Sequence, residues 1–270
     1  MADSLLPALL RGGAGAVLVM AAGLSCAQAA PAPSAAPVTL CFESQDVLPW
    51  RTQANGGLNF SLLAMVEQRL DIKFEYRSMP WKRCLASLQA NLVDGVFSVS
   101  YTAERRELGV YPGLTAVSAL PDMSKRMHMD SYVVLRKKGS QVEWDGKAFH
   151  HLHGPVGFQL GYSVGEVLRA LKLDVDEGTL RATDVARKLI AGRIAAAAVG
   201  GSDAASVMRS PLGAQLEQLP VPIIEKPYFL VLSHQMLATR PELSQRIWHA
   251  VEQARNSAAY KKIEQAHSAR

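Results

Sequence analysis

The chain has 270 residues, a formal net charge of +5 and three cysteines, and 49% of its residues are apolar. Its charges are scattered, with no basic stripe interleaved with aromatic residues; this excludes a nucleic-acid-binding surface, and the mild positive balance suits acidic solutes. Length and apolar content suffice for a sizeable core in one large or two small domains.

The first segment reads as a targeting signal. Arg11 precedes the apolar run Ala14 to Leu24, and Ala27-Gln28-Ala29 is a small-x-small cleavage site. The apolar run is too short to span a bilayer. Residues 1–29 are therefore expected to be a signal peptide and 30–37 a flexible Ala/Pro-rich leader, which places the mature protein in the periplasm. Lipidation of Cys26 stays open, because Gly23-Leu24-Ser25 departs from a leucine-first lipobox. No further long apolar segment follows, so the mature chain is not expected to span a membrane.

Strands and helices then alternate. Val38 to Phe42 reads as a strand, Leu58 to Leu70 as a helix with Leu62, Met65, Val66 and Leu70 inward, and Lys73 to Arg77 as a strand. Trp81 to Ala90 reads as a helix and Asp94 to Val99 as a buried strand. This βαβ rhythm implies mostly parallel sheets flanked by helices. After a strand at Ser131 to Leu135 a second set begins. It comprises a strand to Gln159, a helix opened by a Ser163-x-x-Glu166 capping box, a helix from Thr183 closed by Gly192, a strand Ala195 to Val199 and a short helix Ser202 to Met208. Leu216 to Ile224 is extended, Tyr228 to Ser233 is a strand, and Thr239-x-x-Glu242 is a capping box for a long helix to Arg255. Export makes a bond between Cys41, on the first strand, and Cys84, on the helix near it, the expected state of those thiols.

The run Pro80 to Pro112 carries the most chemistry. A strand ending in Ser98, Ser100 and Thr102 feeds a helix start that bears Arg105. Free N–H groups at such a start favour an anion, and an arginine grips a carboxylate with two parallel hydrogen bonds. Thr102 is the expected N-cap. Ser98 and Ser100 serve either as ligand contacts or as caps of the turn.

This run resembles solute-binding protein family 3, the periplasmic binding proteins of amino-acid ABC transporters. The match lies in an aromatic-led helix (Trp81), Asp94-Gly95 opening a strand, Ser98 and Ser100, and Thr102-x-x-Arg105, and the order of elements follows the family along most of the chain after residue 37. The resemblance implies a two-lobed α/β fold of the type II periplasmic-binding-protein kind, each lobe a mixed or mostly parallel sheet flanked by helices. Lobe 1 would be residues 38–129 plus 226–270 and lobe 2 residues 130–225, closing over a ligand in the cleft between them. Arg105 would clamp a carboxylate, and the strand-to-helix turn at Tyr162 and Ser163 would present lobe-two donors. Trp50 would stack on the solute or join the core; Glu43 would pair a ligand amine or be a solvated loop residue. The family's lobe-two aspartate for an α-ammonium is missing: Gly200 stands there, with Asp203 shifted toward the helix. That departure favours a carboxylate without the amine.

The expected function is therefore capture of a small carboxylate or amino-acid-like solute, delivered by a monomeric protein to the permease of an ABC importer. The alternatives are an enzyme similar to cyclohexadienyl dehydratases, with Glu43 and His234 as acid or base, and a sensor that presents ligand to a membrane receptor. No cofactor is expected. The glycines around Gly161 form no dinucleotide fingerprint, and His150, His151 and His153 lack the carboxylate or cysteine that would complete a metal site.

Overall fold

A computed structural model describes residues 36–115 and 117–268; the expected signal peptide, the leader up to residue 35 and Cys26 lie outside the described residues. In chain order the elements are β1 (Val38–Glu43), α1 (Leu58–Leu70), β2 (Phe74–Met79), α2 (Trp81–Gln89), β3 (Gly95–Ser100), β4 (His128–Lys137), β5 (Glu143–Trp144), β6 (Phe149–His150), β7 (Val156–Gln159), α3 (Val164–Ala170), β8 (Val175–Thr179), α4 (Ala182–Ile190), β9 (Ala196–Gly200), α5 (Gly201–Arg209), β10 (Leu216–Gln218), β11 (Ile224–Leu232), α6 (His234–Thr239), α7 (Pro241–Asn256) and α8 (Ala258–Ser268).

One mixed sheet runs β2-β1-β3-β11-β4-β9-β7-β8, with β10 paired to β4. At one end β1 lies parallel to β2 and β3; at the other β7 lies parallel to β8 and β9. The two parallel groups meet through two long antiparallel strands. Residues Ile224 to Tyr228 of β11 pair with Tyr132 to His128 of β4, and the rest of β11 pairs with β3. β3 and β9 lie inside the sheet with strands on both sides, and both are buried along their whole length.

Four buried clusters hold the sheet to its helices. Phe42, Phe60, Phe97, Leu62, Val66 and Trp248 belong to one, under α1 and α7, with Phe42 set edge-on to Phe60 at 5.1 Å. The cluster on the other face of β3 holds Trp81, Leu85, Leu88, Tyr111 and the two cysteines. Around β4, β7 and β9 the remaining two clusters gather α3, α4 and α5.

The start of α1 fixes a loop that matters below. Its first amides, on Leu58 and Asn59, donate to the carbonyls of Pro49 and Trp50, both at 2.9 Å, so backbone rather than a side chain caps the helix. Gly57 precedes it at φ 98°, and a Cβ there would stand 2.8 Å from those same carbonyls. Only glycine lets the loop and the helix start close on one another.

Several local readings differ from the structure. Ser163 makes no capping hydrogen bond, since its hydroxyl meets Ser100 instead. Thr239 ends α6 rather than capping α7, and its hydroxyl donates to the Gln235 carbonyl. Thr183 sits inside α4, which starts at Ala182. The helix opened by Thr102 is a single 3-10 turn, Glu104–Glu107, although the Thr102 hydroxyl does accept the Arg105 amide at 3.2 Å.

Cys41 and Cys84 are bonded, with Cα atoms 5.8 Å apart and a sequence separation of 43, and both are fully buried. Peptide mapping of unreduced protein should find neither thiol alkylated. Cys84→Ser should lower unfolding stability by about 3–4 kcal/mol, read from denaturant melts.

Candidate functional site

The ends of β1, β3 and β9, the turn after β7 and the crossing strands β4 and β11 surround a cavity of about 450 Å³, counted with its open mouth. Six of the residues singled out in the sequence line it: Glu43, Trp50, Ser98, Ser100, Arg105 and Tyr162. Thr102 and Ser163 stand behind the wall, where Ser163 Oγ lies 2.7 Å from Ser100 Oγ.

Arg105 is buried, 7% exposed, beneath the end of β3. Its Nη1 donates to the carbonyl and hydroxyl oxygens of Ser100, both at 2.9 Å, and its Nη2 to the carbonyl of Gly161 at 2.8 Å. The guanidinium lies 5.4 Å from the Trp81 ring centre, and the Trp81 indole donates to the same Gly161 carbonyl at 3.2 Å. Gly161 can offer that carbonyl because its φ is +76°. No carboxylate stands within salt-bridge distance of Arg105 among the described residues.

The wall beyond Glu43 holds residues the sequence reading passed over. Arg51 Nη2 lies 3.2 Å from Glu43 Oε2, and Tyr162 OH donates to that oxygen at 2.9 Å. Burial pushes the Glu43 carboxyl up, against the opposing pull of Arg51 and the Tyr162 hydrogen bond. Glu43 is thus a paired, buried carboxylate rather than a solvated loop residue. Trp50 reaches across to the start of α5, its indole donating to Ser202 Oγ at 2.8 Å, and its ring stacks on His128 at 4.0 Å. His128 in turn stacks on Tyr228 at 4.9 Å; burial, then the nearby Arg51, hold its imidazole well below its ordinary pKa and hence neutral at pH 7. Its Nδ1 is buried without a hydrogen-bond partner.

Two carboxylates flank Gly200. A Cβ there would stand 3.5 Å from Asp203 Oδ2 and 3.9 Å from Asp130 Oδ2. Burial pushes Asp203 up to about 6, opposed by its hydrogen bond from Gln159 Nε2 at 3.0 Å and by Arg51, and assisted by Asp130. Asp130 is also pushed up by burial, against hydrogen bonds from Ser202 and Ser131. Neither is salt-bridged among the described residues. Acid groups therefore do line this wall although position 200 carries none: Asp203 is the third residue of α5, and Asp130 lies on the crossing strand β4. Asp203 was visible in the sequence as a shifted neighbour; Asp130 gave no signal, because only the strand register brings it there.

The remaining residues weighed in sequence lie elsewhere. His234 is exposed at the start of α6. His150 bonds Asp145 at 3.0 Å on the small β5–β6 hairpin, and no metal-ligating group of three His, Cys, Asp or Glu forms among the described residues. No described helix is long and apolar enough to cross a membrane.

The mixed sheet, the paired crossing strands and a cavity walled from both ends define a two-lobed binding-protein fold. Residues 44–269 match the model of the bacterial extracellular solute-binding proteins, family 3, and the chain belongs to that family. Among solved structures it is similar to a histidine kinase sensor domain with similarity to periplasmic binding proteins (16% identity, 85% of this chain and 95% of that one, TM-score 0.68). It is also similar to the arginine-, lysine-, histidine-binding protein ArtJ from Geobacillus stearothermophilus (17%, 87% and 96%, 0.68) and to the glutamate-bound GluR0 ligand-binding core from Nostoc punctiforme (13%, 85% and 98%, 0.66). No curated protein matches the chain in sequence.

Asp203 gives a pH test of these electrostatics. Its folded pKa of about 6 lies above the unfolded value, so the buried site favours the protonated form. Stability is unaffected by this group below about pH 4, falls as pH rises through about 4 to 6, and carries the full penalty above. Asp203→Asn should therefore melt higher than the parent at pH 7, by up to about 3 kcal/mol, with the gap closing toward pH 4. Parallel melts of unliganded protein across pH 4 to 8 are the measurement.

Proposed function

We propose that this chain is a solute receptor for a small amino-acid-like molecule carrying both a carboxylate and an ammonium group. The observation that carries the reading is Arg105: a buried guanidinium lining the cavity with no carboxylate of its own. A buried charge of this kind calls for an anion. Three of its hydrogen bonds go to Ser100 and Gly161, and an arginine has five donors, so N–H groups remain for a ligand carboxylate. Across the cavity, Asp130 and Asp203 offer the complement for an ammonium. The Trp50, Tyr228 and Tyr162 rings supply apolar wall between the two.

The lobes of this reading are residues 38–129 plus 226–270 and 130–225, hinged at β4 and β11. Export to the periplasm, a monomeric state and delivery to an ABC permease complete it. The sensor role keeps one specific support, the likeness in fold to a histidine kinase sensor domain. A catalytic role is less well supported: the buried Glu43 is occupied by Arg51 and Tyr162, and His234 is absent from the cavity wall.

A thermal-shift panel of amino acids and dicarboxylates should find a stabilising ligand; one present at 100 times its Kd adds about 2.7 kcal/mol. Arg105→Ala should then weaken that ligand by about thirtyfold or more in calorimetric titration, and Arg105→Lys should recover only part. Unchanged affinity in Arg105→Ala would overturn the carboxylate clamp.

A further inference from the structure

Resting on the amino-acid-like reading above, we infer that Arg51 is an internal counter-ion that sets side-chain specificity: the cleft refuses a cationic side chain and takes one that accepts hydrogen bonds.

The loop presents Arg51 firmly. Val47 and Arg51 exchange backbone hydrogen bonds at 2.9 Å in both directions, and the residues just before Arg51 cap α1 through their carbonyls. The backbone is pinned on both sides, and the side chain, 7% exposed, forms part of the cavity wall. A loop arginine free to choose would hold its charge in water; this one is buried by construction.

Its partner is the carboxylate that would otherwise attract a ligand cation. Glu43 stands at the end of β1, 3% exposed, and its Oε2 receives both Arg51 Nη2 and Tyr162 OH. Both donors sit on Oε2, and the Glu43 charge is compensated by Arg51, so a lysine- or arginine-like side chain would meet an already neutralised pair rather than a free carboxylate. An incoming cation would also meet the Arg51 guanidinium in a dehydrated space, where like charges repel strongly. The remaining chemistry points the other way. Arg51 Nε is buried with no hydrogen-bond partner. Arg51 lines the cavity and its one side-chain hydrogen bond among the described residues goes to Glu43, so guanidinium donors are left for an amide or carboxylate oxygen on the ligand. Asp130 and Asp203 do not restore a cation site for the side chain, because in this reading they are committed to the ammonium beside Gly200.

The test uses four probes, L-glutamine, L-glutamate, L-lysine and L-arginine, titrated calorimetrically into the purified protein and three variants. The parent should bind glutamine or glutamate at least tenfold more tightly than lysine or arginine. Arg51→Met frees Glu43 and should shift that ratio at least tenfold toward the basic pair. Arg51→Lys keeps the charge and should keep the exclusion, which a purely structural role for the guanidinium fork would not require. Glu43→Gln/Arg51→Met buries no unpaired charge, so it reports even if the single variant fails to fold; its ratio should fall between the other two. A parent that binds lysine or arginine most tightly overturns the inference and leaves the receptor reading standing. So does a ratio unchanged in Arg51→Met or in the double variant. If neither the parent nor any variant binds any of the four, the amino-acid-like reading falls and this inference with it.

Discussion

The site depends on the antiparallel ladder between β4 and β11. Tyr228 lies opposite His128, Lys226 opposite Asp130 and Ile224 opposite Tyr132. Side chains in a strand alternate between faces, so this register brings His128, Asp130 and Tyr132 together on one side. They share the cavity with Tyr228. A slip of one residue would turn all of them away at once. The same two strands join the parallel group around β1 to the group around β7. What holds the sheet together and what furnishes the cavity are thus one set of hydrogen bonds.

Around that ladder the cavity gathers more charge than a buried space usually tolerates. Glu43, Asp130 and Asp203 share it with Arg51 and Arg105. Only Glu43 and Arg51 form an ion pair. The others rely on hydroxyls, amides and carbonyls: Ser100 and Gly161 for Arg105, Gln159 for Asp203, and Ser131 for Asp130. Such neutral partners orient a charge without cancelling it. For the receptor proposed above, opposite charges held apart in one dehydrated space suit a molecule that carries both signs.

Much of the fold could be read from periodicity. The apolar positions of α1 and the continuous runs at β3 and β9 follow directly from burial on one or both faces, and the structure places these elements within a residue or two of expectation. Elements without that pattern were lost. β8 reads VDEGT and is nowhere fully buried, and α8 follows Ser257 after α7 has ended. Both capping boxes misled: the Ser163 hydroxyl meets Ser100 on β3, 63 residues away, and the Thr239 hydroxyl turns back to the Gln235 carbonyl at the end of α6. The site divides in the same way. Residues at strand ends, such as Glu43 and Ser100, and Arg105 in the turn just beyond, were legible because strand ends face clefts in open α/β sheets. Asp130 was not, since its place depends on pairing with a strand almost a hundred residues downstream. Arg51 carried a signal that went unread: it directly follows Trp50 in the same short loop and faces a carboxylate only eight residues earlier.

The chain contains four tryptophans. Trp144 donates to Pro222 on the β5 side and Trp248 to Leu230 beneath α7, both remote from the cavity wall. Trp50 and Trp81 form part of that wall, and each hydrogen-bonds to a residue more than seventy positions away on its other side, Ser202 and Gly161. One indole is stacked on an imidazole and the other lies under a guanidinium. In the two-lobed reading proposed above, a parting of the walls would break both hydrogen bonds and wet both rings, while the other two would stay dry. In that reading the protein's own ultraviolet emission would gauge whether the cleft is shut, with a steady internal reference from Trp144 and Trp248.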